Sequence, residues 1–567
     1  MNNNQRENSN YNKTASGEIV NIGSSKLKHD VSKFITSEQI EAVNKHHVYI
    51  HDSEYFSLSL NCLSISVKQL LTNALYFRGV KQHKAVTLDV AFSQIITAVI
   101  NIENEVSGGI TLCNFDQDIA DWCDDVGVEL NAEELRVWVK NLFYLINSLN
   151  SRANQSPYVS LSIGAITSDA GALVCDVILD VLHEGYNGKP YIFPNIQFRV
   201  HEALNGHASA RYYPQFQHAL RVTAKQMNPT YLLGGSEMNE GIALQDIHVV
   251  GCRSRLLTTT QGMDATGVGR TNIGVVSINL PRLGIEAKSE QAFYPLLDRY
   301  IALSVDILLK KSALLKEVVA DNAPTVFTNN LLFPFTSNVG DILQQASMSI
   351  GFIGGAELVN QLIPYETQVK KGELLERVLG YLHQHCLEYS ILHDRVFTLI
   401  GVSGEGLSYK FAQADQAVSS NEVSSLVAQQ LEKSFYTNSF HVPVDQVLPL
   451  SEKLNYEGQF HALCHGGGIS YVELSHLEEN IQGLEDIIRI ATNCNVNYLG
   501  FNFDKNICNE CDSSFDDILS CPECGSDNIT KIRRVSGYLG YLSSFSFGKK
   551  CEEKLRTKHT QLQLQIK

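Results

Sequence analysis

The feature that most constrains this chain is a set of four cysteines near its C-terminus. Cys508 and Cys511 form one C-x2-C pair, and Cys521 and Cys524 form a second pair after nine intervening residues. Two such pairs can present four thiolates in a tetrahedron, which is the geometry of a closed structural zinc site. Two disulfides and a rubredoxin-like iron site are the alternatives. The spacing favours Zn²⁺, which would fix the local chain geometry without doing chemistry itself.

Composition and charge restrict what surrounds this site. The 567 residues are 44% hydrophobic and 19% charged, so the chain can bury a large core. No apolar run reaches the length of a membrane span, and the polar N-terminus lacks the core of a secretory signal. We therefore expect a cytoplasmic protein with reduced thiols. The formal net charge of −16 disfavours DNA or RNA polymers as partners, although a local pocket could still bind a single nucleotide.

Local patterns predict alternating helices and strands, which is typical of an α/β fold with largely parallel strands. A capping box at Thr36 predicts a helix that ends near His46. Asn131 can cap a second helix that runs to about Asn150, and a long third helix is expected over 289–320. The β-rich runs are 158–166, 191–200 and 274–280.

The composition changes near residue 495, where apolar periodicity gives way to the cysteine-rich segment. We expect four regions along the chain: a flexible tail over 1–25, a catalytic α/β domain over 26–495, a zinc-binding segment over 496–530, and a loop with a C-terminal helix over 531–567.

The segment RRVSGYLGYLSSF at 533–545 follows the second cysteine pair directly. On backbone physics alone, Gly537 in this segment is a turn residue that needs a positive φ. An Arg-Val-x-Gly-Tyr segment just after four zinc-binding cysteines also resembles the glycyl radical loop of anaerobic (class III) ribonucleotide reductases. Further segments resemble the same family in the same order: YIHDSEYFSLSLNCLSISV at 49–67, FPNIQFRV at 193–200, VVGCRSRL at 249–256, GRTNIGVVSINLPRLG at 269–284, SIGFIGGAEL at 349–358, GEGLSYKF at 404–411, FYTNSFHVPV at 435–444 and HGGGISYVEL at 465–474.

The resemblance implies a reduction of ribonucleoside triphosphates to 2′-deoxyribonucleoside triphosphates by radical chemistry. Gly537 would store the radical, because a glycine α-carbon can become planar and delocalise the spin. Cys252 matches the thiyl radical position, and Cys62 matches a second active-site cysteine that supplies a hydrogen atom. Without the resemblance, both cysteines would be interpreted as buried structural residues.

Asn272 matches an active-site asparagine of family members that use formate as the reductant, and Asn279 is the rival placement. The resemblance therefore favours formate over a thiol redox protein. His51 and Asp52 are interpreted as structural polar residues. The glycine-rich turns at 404–406 and 466–468 could expose backbone amides to phosphate, but tight turns alone would explain both.

The resemblance also implies a fold and partners. The fold is a ten-stranded α/β barrel of two five-stranded parallel halves in antiparallel arrangement, with the Cys252 and Gly537 loops meeting inside. The expected assembly is a homodimer regulated by deoxynucleotide or ATP effectors. A separate activase with an iron–sulfur cluster and S-adenosylmethionine would install the radical, since the chain lacks a C-x3-C-x2-C motif. The family pattern begins within the first 50 residues, which leaves no room for the N-terminal ATP-cone of many members.

Two other readings remain open from the sequence. Another glycyl radical enzyme, of the formate-lyase or dehydratase type, would carry a different cysteine pattern, because the formate-lyase branch has adjacent active-site cysteines. Cys252 instead lies between Gly251 and Arg253. A zinc-ribbon protein that binds nucleic acid would require a basic patch interleaved with aromatic residues. Near the cysteines only Lys531 and two arginines that follow it supply positive charge.

Overall fold

The computed structural model describes residues 14–152, 155–256, 265–417, 422–475, 480–516 and 518–559. Within these ranges the helices are α1 Ala15–Asp30, α2 Ser37–Asn44, α3 Val67–Thr72, α4 Leu88–Glu103, α5 Phe115–Val126, α6 Ala132–Ser148, α7 Asp169–Glu184, α8 Tyr213–Gln226, α9 Leu280–Ala287, α10 Glu290–Asn322, α11 Pro324–Thr328, α12 Val339–Gln345, α13 Gly355–Leu362, α14 Gln368–His393, α15 Leu407–Gln416, α16 Ser425–Glu432, α17 Leu450–His461, α18 Ile481–Asn493 and α19 Phe547–Leu555. None of these helices combines the length and the apolar character that crossing a membrane requires.

The strands of the described residues are β1 Val48–Ile50, β2 Leu63–Ser66, β3 Tyr76–Phe77, β4 Val80–Lys81, β5 Ile110–Cys113, β6 Val159–Ile163, β7 Asn195–Val200, β8 Thr230–Leu233, β9 Val249–Val250, β10 Ser254–Arg255, β11 Asn272–Asn279, β12 Ser347–Ile353, β13 Val396–Gly401, β14 Ser470–Glu473, β15 Tyr498–Asn502, β16 Lys505–Cys508, β17 Ser514–Asp516, β18 Ile529–Arg534 and β19 Leu539–Tyr541.

Five of these strands form the first half of a barrel. β2, β5, β6, β7 and β8 pair in that order, and each pairing is parallel. Helices connect successive strands, as parallel pairing requires. The strands of this half are buried along nearly their whole length, because helices cover the outside and side chains fill the inside.

The second half consists of β11, β12 and β13, which pair in parallel, followed by the parallel pair β14 and β15. A glycine-rich turn joins these two groups. The Gly466 N–H donates to the Leu399 carbonyl at 2.8 Å, and the Gly401 N–H donates to the Gly467 carbonyl at 2.9 Å. The second half therefore also contains five strands.

Two antiparallel contacts close the barrel. At one side β15 pairs with β8, and at the other side Leu63 of β2 forms a bridge with Thr271 beside β11. The N–H of Asn272 donates to the Cys62 carbonyl at 2.9 Å across this second side. The expected ten-stranded barrel of two parallel halves in antiparallel arrangement is confirmed.

The predicted helix starts are also observed. Thr36 and Gln39 form a capping box, since the Gln39 N–H donates to Thr36 Oγ1 at 3.2 Å and the Thr36 N–H donates to Gln39 Oε1 at 2.8 Å. Asn131 caps α6 through the N–H of Glu134, and Ser289 caps α10. Each cap satisfies a backbone donor that the first turn of a helix leaves unpaired.

The chain differs from the expected regions at both ends of the barrel domain. The segment expected as a flexible tail over 1–25 contains the start of α1, which Thr14 caps; residues 1–13 lie outside the described ranges. The composition change near residue 495 does not end the barrel either, because β15 is its last strand. The C-terminal part is an antiparallel sheet in the order β17-β16-β18-β19, followed by α19.

Candidate active site

Gly537 and Cys252 lie on two loops that meet inside the barrel. Gly537 follows β18, and Cys252 follows β9. A Cβ atom added at Gly537 would overlap the Cys252 carbonyl oxygen and lie 2.8 Å from the Cys252 Cα. Gly537 does not adopt a positive φ, so the expectation of a left-handed turn residue is wrong. The glycine is required here because only a residue without a side chain can approach Cys252 so closely.

Glu405 fixes the residues on either side of Gly537. Its Oε1 accepts from Ser536 Oγ at 2.9 Å, and its Oε2 accepts from the Tyr538 hydroxyl at 2.9 Å. A guanidinium N–H of Arg534 donates to the Gly537 carbonyl at 3.1 Å. All of these groups are buried, and burial raises the pKa of Glu405. The glycine loop is therefore held by side chains on both sides of the α-carbon.

Both predicted active-site cysteines carry thiols whose ionisation is disfavoured. Burial, and then the charge of Glu405, raises the pKa of Cys252, and burial raises the pKa of Cys62 to about 12. The Tyr158 hydroxyl lies 3.0 Å from Cys252 Sγ, and the Gly109 N–H donates to Cys62 Sγ at 3.4 Å. Near neutral pH both sulfurs keep their hydrogen atoms, which is the form that hydrogen-atom transfer requires.

The two cysteines line one cavity, whose empty volume of about 880 Å³ is partly open to solvent. The cavity lies between the two halves of the barrel, at the loops that carry Cys62 and Cys252. Its lining residues are His51, Asp52, Asn61, Cys62, Ser107, Gly108, Gly109, Arg152, Gln155, Tyr158, Gly251, Cys252, Arg253, Ser254, Val275, Ile400, Val402, Ser403, Glu405 and Tyr538.

Asn272 lies next to this cavity in the barrel wall and is not one of its lining residues in the described part of the chain. Its side-chain amide donates to Ser347 Oγ at 2.8 Å and to Ser349 Oγ at 2.9 Å, while its buried Oδ1 has no hydrogen-bond partner among the described residues. Its rival Asn279 caps α9 and donates to Asp415 Oδ2 at 3.2 Å. Of the two asparagines, Asn272 is the one that bonds to the Cys62 segment, because its N–H donates to the Cys62 carbonyl.

His51 and Asp52 line the cavity, which goes beyond the structural role expected from the sequence. His51 Nε2 lies 2.7 Å from Ser277 Oγ, and Asp52 Oδ2 accepts from the Asn61 side chain at 2.9 Å. Asp52 adopts a left-handed backbone conformation with φ 47°. This conformation is uncommon outside glycine, and Asp and Asn are enriched in it.

Part of the glycine-rich turn at 466–468 is used within the protein. The Gly466 and Gly467 amides donate to protein carbonyls, and a Cβ at Gly467 would overlap the Arg253 carbonyl. The turn at 404–406 carries Glu405, which binds the Gly537 loop. The first turn therefore serves close contact between backbone segments, and the second places a carboxylate against the glycine loop.

The four cysteines predicted to bind metal converge. One sulfur from each of Cys508, Cys511, Cys521 and Cys524 lies within 4.8 Å of every other. The Cys508–Cys524 and Cys511–Cys521 sulfur pairs are each 3.5 Å apart. A tetrahedral Zn²⁺ with bonds of about 2.3 Å would separate its sulfur ligands by about 3.8 Å. The cluster could therefore hold zinc without a large rearrangement.

Sequence reasoning missed three residues of the site. Tyr158 and Arg152 line the cavity from the loop before β6, and Glu405 contacts the glycine loop. Tyr158 was included in a strand pattern, and Glu405 was concealed between two glycines interpreted as a turn. The one available signal in the sequence was an acid between two glycines, because glycines allow a carboxylate to lie close to backbone.

Solved structures share this ten-stranded barrel. Among solved structures, the anaerobic ribonucleotide reductase from Thermotoga maritima in complex with dATP and CTP has this fold, with a TM-score of 0.70. It is 17% identical and covers 93% of this chain and 89% of that chain. At this identity the likeness shows the fold alone.

The family model for anaerobic ribonucleoside-triphosphate reductase matches residues 7–559, and the chain therefore belongs to this family of oxidoreductases. The Haemophilus influenzae anaerobic ribonucleoside-triphosphate reductase is 26% identical over 574 residues, which cover 94% of this chain and 80% of the relative. The enzyme of Enterobacteria phage T4 is 27% identical over 583 residues and covers 94% of this chain and 93% of the relative. This membership decides against a zinc-ribbon nucleic-acid-binding protein and against a lyase or dehydratase.

Proposed function

We propose that this chain reduces ribonucleoside triphosphates by means of a radical stored on Gly537 and a thiyl radical on Cys252. The observation that supports this most is the contact of the Gly537 α-carbon with Cys252 beside a cavity that also contains Cys62. The two residues belong to loops that touch through the Cys252 backbone, which favours transfer of a hydrogen atom between them. Burial of this contact would protect the radicals from water and oxygen.

The first steps follow from this contact. The Cys252 S–H hydrogen atom moves to the Gly537 α-carbon, which restores an ordinary glycine and leaves a thiyl radical. The thiyl radical then takes the hydrogen atom from the 3′ carbon of the ribose. Tyr158, whose hydroxyl lies 3.0 Å from Cys252 Sγ, orients the sulfur. Glu405 and Arg534 hold the glycine loop in place during this exchange.

The remaining steps replace the 2′-hydroxyl by hydrogen. The hydroxyl leaves as water after it gains a proton, and Cys62 supplies a hydrogen atom from the other face of the sugar. Formate restores the Cys62 thiol with its hydrogen atom and passes its remaining electron to the sugar, which also takes up a proton. Cys252 then returns its hydrogen atom to the 3′ carbon and takes the α-hydrogen of Gly537, which regenerates the glycyl radical. With formate as the reductant, the overall change converts the ribonucleotide, formate and one proton into the deoxyribonucleotide, carbon dioxide and water. Oxidation of formate to carbon dioxide supplies the two electrons. A thiol redox protein is the alternative source, and turnover with formate alone would decide between them.

We propose that Asn272 acts from its position in the barrel wall next to Cys62. Its backbone N–H binds the Cys62 carbonyl, and its buried Oδ1 lies in the wall beside the cavity. Its side-chain amide would bind formate or a sugar hydroxyl. Loss of this amide should lower turnover with formate and leave the Gly537 radical intact.

The proposal also includes nucleotide effectors, an activase and a second copy of the chain. The relative from Thermotoga maritima binds dATP and CTP, which supports nucleoside triphosphates as substrates and deoxynucleotides or ATP as effectors here. The radical would come from a separate enzyme with an iron–sulfur cluster that uses S-adenosylmethionine. The four-cysteine cluster would hold structural Zn²⁺ beside the strand that leads to Gly537. A homodimer is the proposed assembly.

The experiment is anaerobic activation with S-adenosylmethionine, a reductant and a cognate activase, followed by electron paramagnetic resonance and an assay for deoxynucleotide. Wild type should give a glycyl doublet and, with formate, deoxynucleotide. Exposure to air should then cleave the chain at Gly537, which mass measurement detects.

Two variants separate the roles of the residues. Gly537→Ala should give neither doublet nor product, but its Cβ would also disturb the Cys252 loop. Cys252→Ser is therefore the sharper variant, since it should keep the doublet and lose the product. An active wild type without a glycyl signal, or turnover by Cys252→Ser, would overturn the proposal.

A further inference from the structure

Lys311 is an unexpected residue in the middle of α10. Its side chain is 2% exposed, and the other buried positions of this part of the helix are mostly aliphatic, such as Leu308 and Leu315. A buried ammonium group costs free energy unless nearby groups compensate its charge. A core helix that needed only packing would carry an apolar residue at this position.

The barrel wall leaves space for this ammonium group at Gly274. A Cβ added at Gly274 would lie 3.1 Å from Lys311 Nζ and 3.3 Å from Lys311 Cδ, closer than ordinary contacts. The next outward-facing residues of β11, Val276 and Ile278, are buried apolar side chains. β11 therefore contains a gap in its apolar surface where the lysine ends.

The register of β1 on β11 brings an acid to the same place. Val48 pairs with Ile278, and Ile50 pairs with Val276, in antiparallel arrangement. The His51 N–H then donates to the Val275 carbonyl at 3.1 Å, so Asp52 follows at the part of β11 that contains Gly274. The negative charges that act on Lys311 are those of Asp52 and Glu54.

These two acids are not equivalent. Glu54 also forms an ion pair with Lys28 of α1 at 3.3 Å. Asp52 instead lines the cavity and accepts from Asn61, the residue directly before Cys62. Lys311 thus lies behind a carboxylate that faces the Cys62 side of the cavity.

We propose that Lys311 is a positioning residue whose positive charge, placed behind Asp52, strengthens this carboxylate as a hydrogen-bond acceptor, and that Asp52 binds a ribose hydroxyl of the substrate beside Cys62. This inference rests on the proposed function. The lysine does not touch the substrate, because β11 lies between α10 and the cavity. It acts through Asp52, as a charge placed behind a hydrogen-bond acceptor.

A dependence on pH follows. Burial lowers the pKa of Lys311 to about 8, against the opposing charges of Asp52 and Glu54. Activity that needs the ammonium form should fall as the pH rises through about 8. The free energy of unfolding should instead rise as the pH rises through this range. The pKa of this lysine is lower in the fold than in the unfolded chain, so the protonated side chain destabilises the fold below about pH 8. Lys311→Met removes that cost and should preserve or raise the free energy of unfolding at pH 7.

The test is a double-mutant cycle with Lys311→Met and Asp52→Asn, assayed for deoxynucleotide formation by the activated full chain. Each single variant should lower kcat/KM on the order of 10- to 100-fold, the scale at which misplaced substrate contacts act. The double variant should be little worse than either one, because both changes remove the same interaction. The glycyl doublet should form normally in all of them. Lys316→Met, an exposed lysine on the same helix, is the matched control and should behave as wild type.

The outcomes separate this inference from the proposed function. An active wild type with unchanged activity in Lys311→Met, or with additive losses in the double variant, overturns the role of Lys311 alone. The role of Lys311 is also overturned if the activity of Lys311→Met still falls near pH 8. A wild type that forms no deoxynucleotide after successful activation overturns both the function and this inference.

Discussion

At Gly537 the barrel leaves no space for a side chain, since the Cys252 backbone occupies the position of a Cβ. The same contact brings the α-carbon against the loop that carries the half-buried Cys252 thiol. A requirement for glycine at this position therefore has two separate sources, one steric and one chemical. The Cys252→Ser variant addresses the chemical source without changing the steric one.

Glu405 allows a prediction about the lifetime of the radical. Glu405→Ala would leave the hydroxyls of Ser536 and Tyr538 buried without their acceptor, at a cost of about 1–3 kcal/mol for each group. We expect a looser glycine loop and a glycyl doublet that decays several-fold faster. The decay of the doublet under anaerobic conditions measures this.

Two comparisons make this prediction specific. Glu405→Gln keeps one carbonyl acceptor, and a hydroxyl can accept from its amide, so this variant should lie between Glu405→Ala and wild type. Glu452→Ala changes an exposed glutamate on α17 and should have no effect. Equal decay rates in Glu405→Ala and wild type would contradict the role of the carboxylate.

At the scale of single residues, the sequence predicted the positions at which the proposed chemistry requires a particular amino acid. Gly537, Cys252 and Cys62 were predicted from motifs. The first two come into direct contact, and Cys62 lines the same cavity as Cys252. Glu405 was missed and Asp52 was interpreted as structural, because an acid near glycines or in a turn has many ordinary roles in sequence. Their importance depends on which distant loops they face, and local spacing contains no information about this.

Among the elements, the four-cysteine segment connects to the glycine loop through one strand. Cys508 ends β16, which pairs with β18, and β18 leads directly to Arg534 and Gly537. Order at the metal site should therefore determine order at the start of the glycine loop. The ten-stranded barrel does not depend on this contact in the same way.

We predict that removal of zinc, by a chelator or by Cys521→Ser, lowers the yield of the glycyl radical and leaves the main thermal unfolding transition in place. A structural zinc site contributes its binding free energy to the segment that it folds. Metal analysis measures the loss of zinc, hydrogen exchange over 529–534 measures order in β18, and the doublet amplitude measures the radical yield. Cys494→Ser alters a half-buried cysteine outside the cluster and serves as the control. Full radical yield in metal-free protein would contradict the connection.

Helix starts were predicted well, while the partners of the strands were not. The caps at Thr36, Asn131 and Ser289 are local hydrogen bonds within three residues, so the sequence contains them completely. The antiparallel pairing of β15 with β8 joins segments more than 260 residues apart. No local pattern distinguishes that pairing, and β15 was consequently assigned to the zinc-binding segment.

For the whole molecule, the distribution of charge predicts how it responds to nucleic acid. The formal net charge is −16, and Arg533 and Arg534, which follow the cysteine cluster, are almost completely buried in contacts with the protein. We predict no salt-sensitive binding to duplex or single-stranded DNA at micromolar protein. A gel-shift assay at about 50 mM and 200 mM salt tests this, since phosphate contacts weaken strongly over that range. A shift that disappears at the higher salt would contradict the prediction.

The ten-stranded barrel itself could be predicted only from the resemblance. Composition and alternating elements indicate an α/β fold, but closure depends on two antiparallel contacts, at β15 with β8 and at Leu63 with Thr271. Each contact involves a few residues whose sequences are ordinary for buried strands. The ordered set of family motifs predicted that the barrel closes, which local sequence patterns could not do.

The order of the site residues along the chain has a consequence for synthesis. Cys62, Cys252, Glu405 and Gly537 come from four segments spread over nearly the whole sequence, and the glycine comes last. While the ribosome is still making the barrel, the thiols have no partner from which a radical could arrive. Under the proposed function, a nascent chain, or one released early, is therefore inert. The radical chemistry becomes possible only in molecules whose translation has passed Gly537.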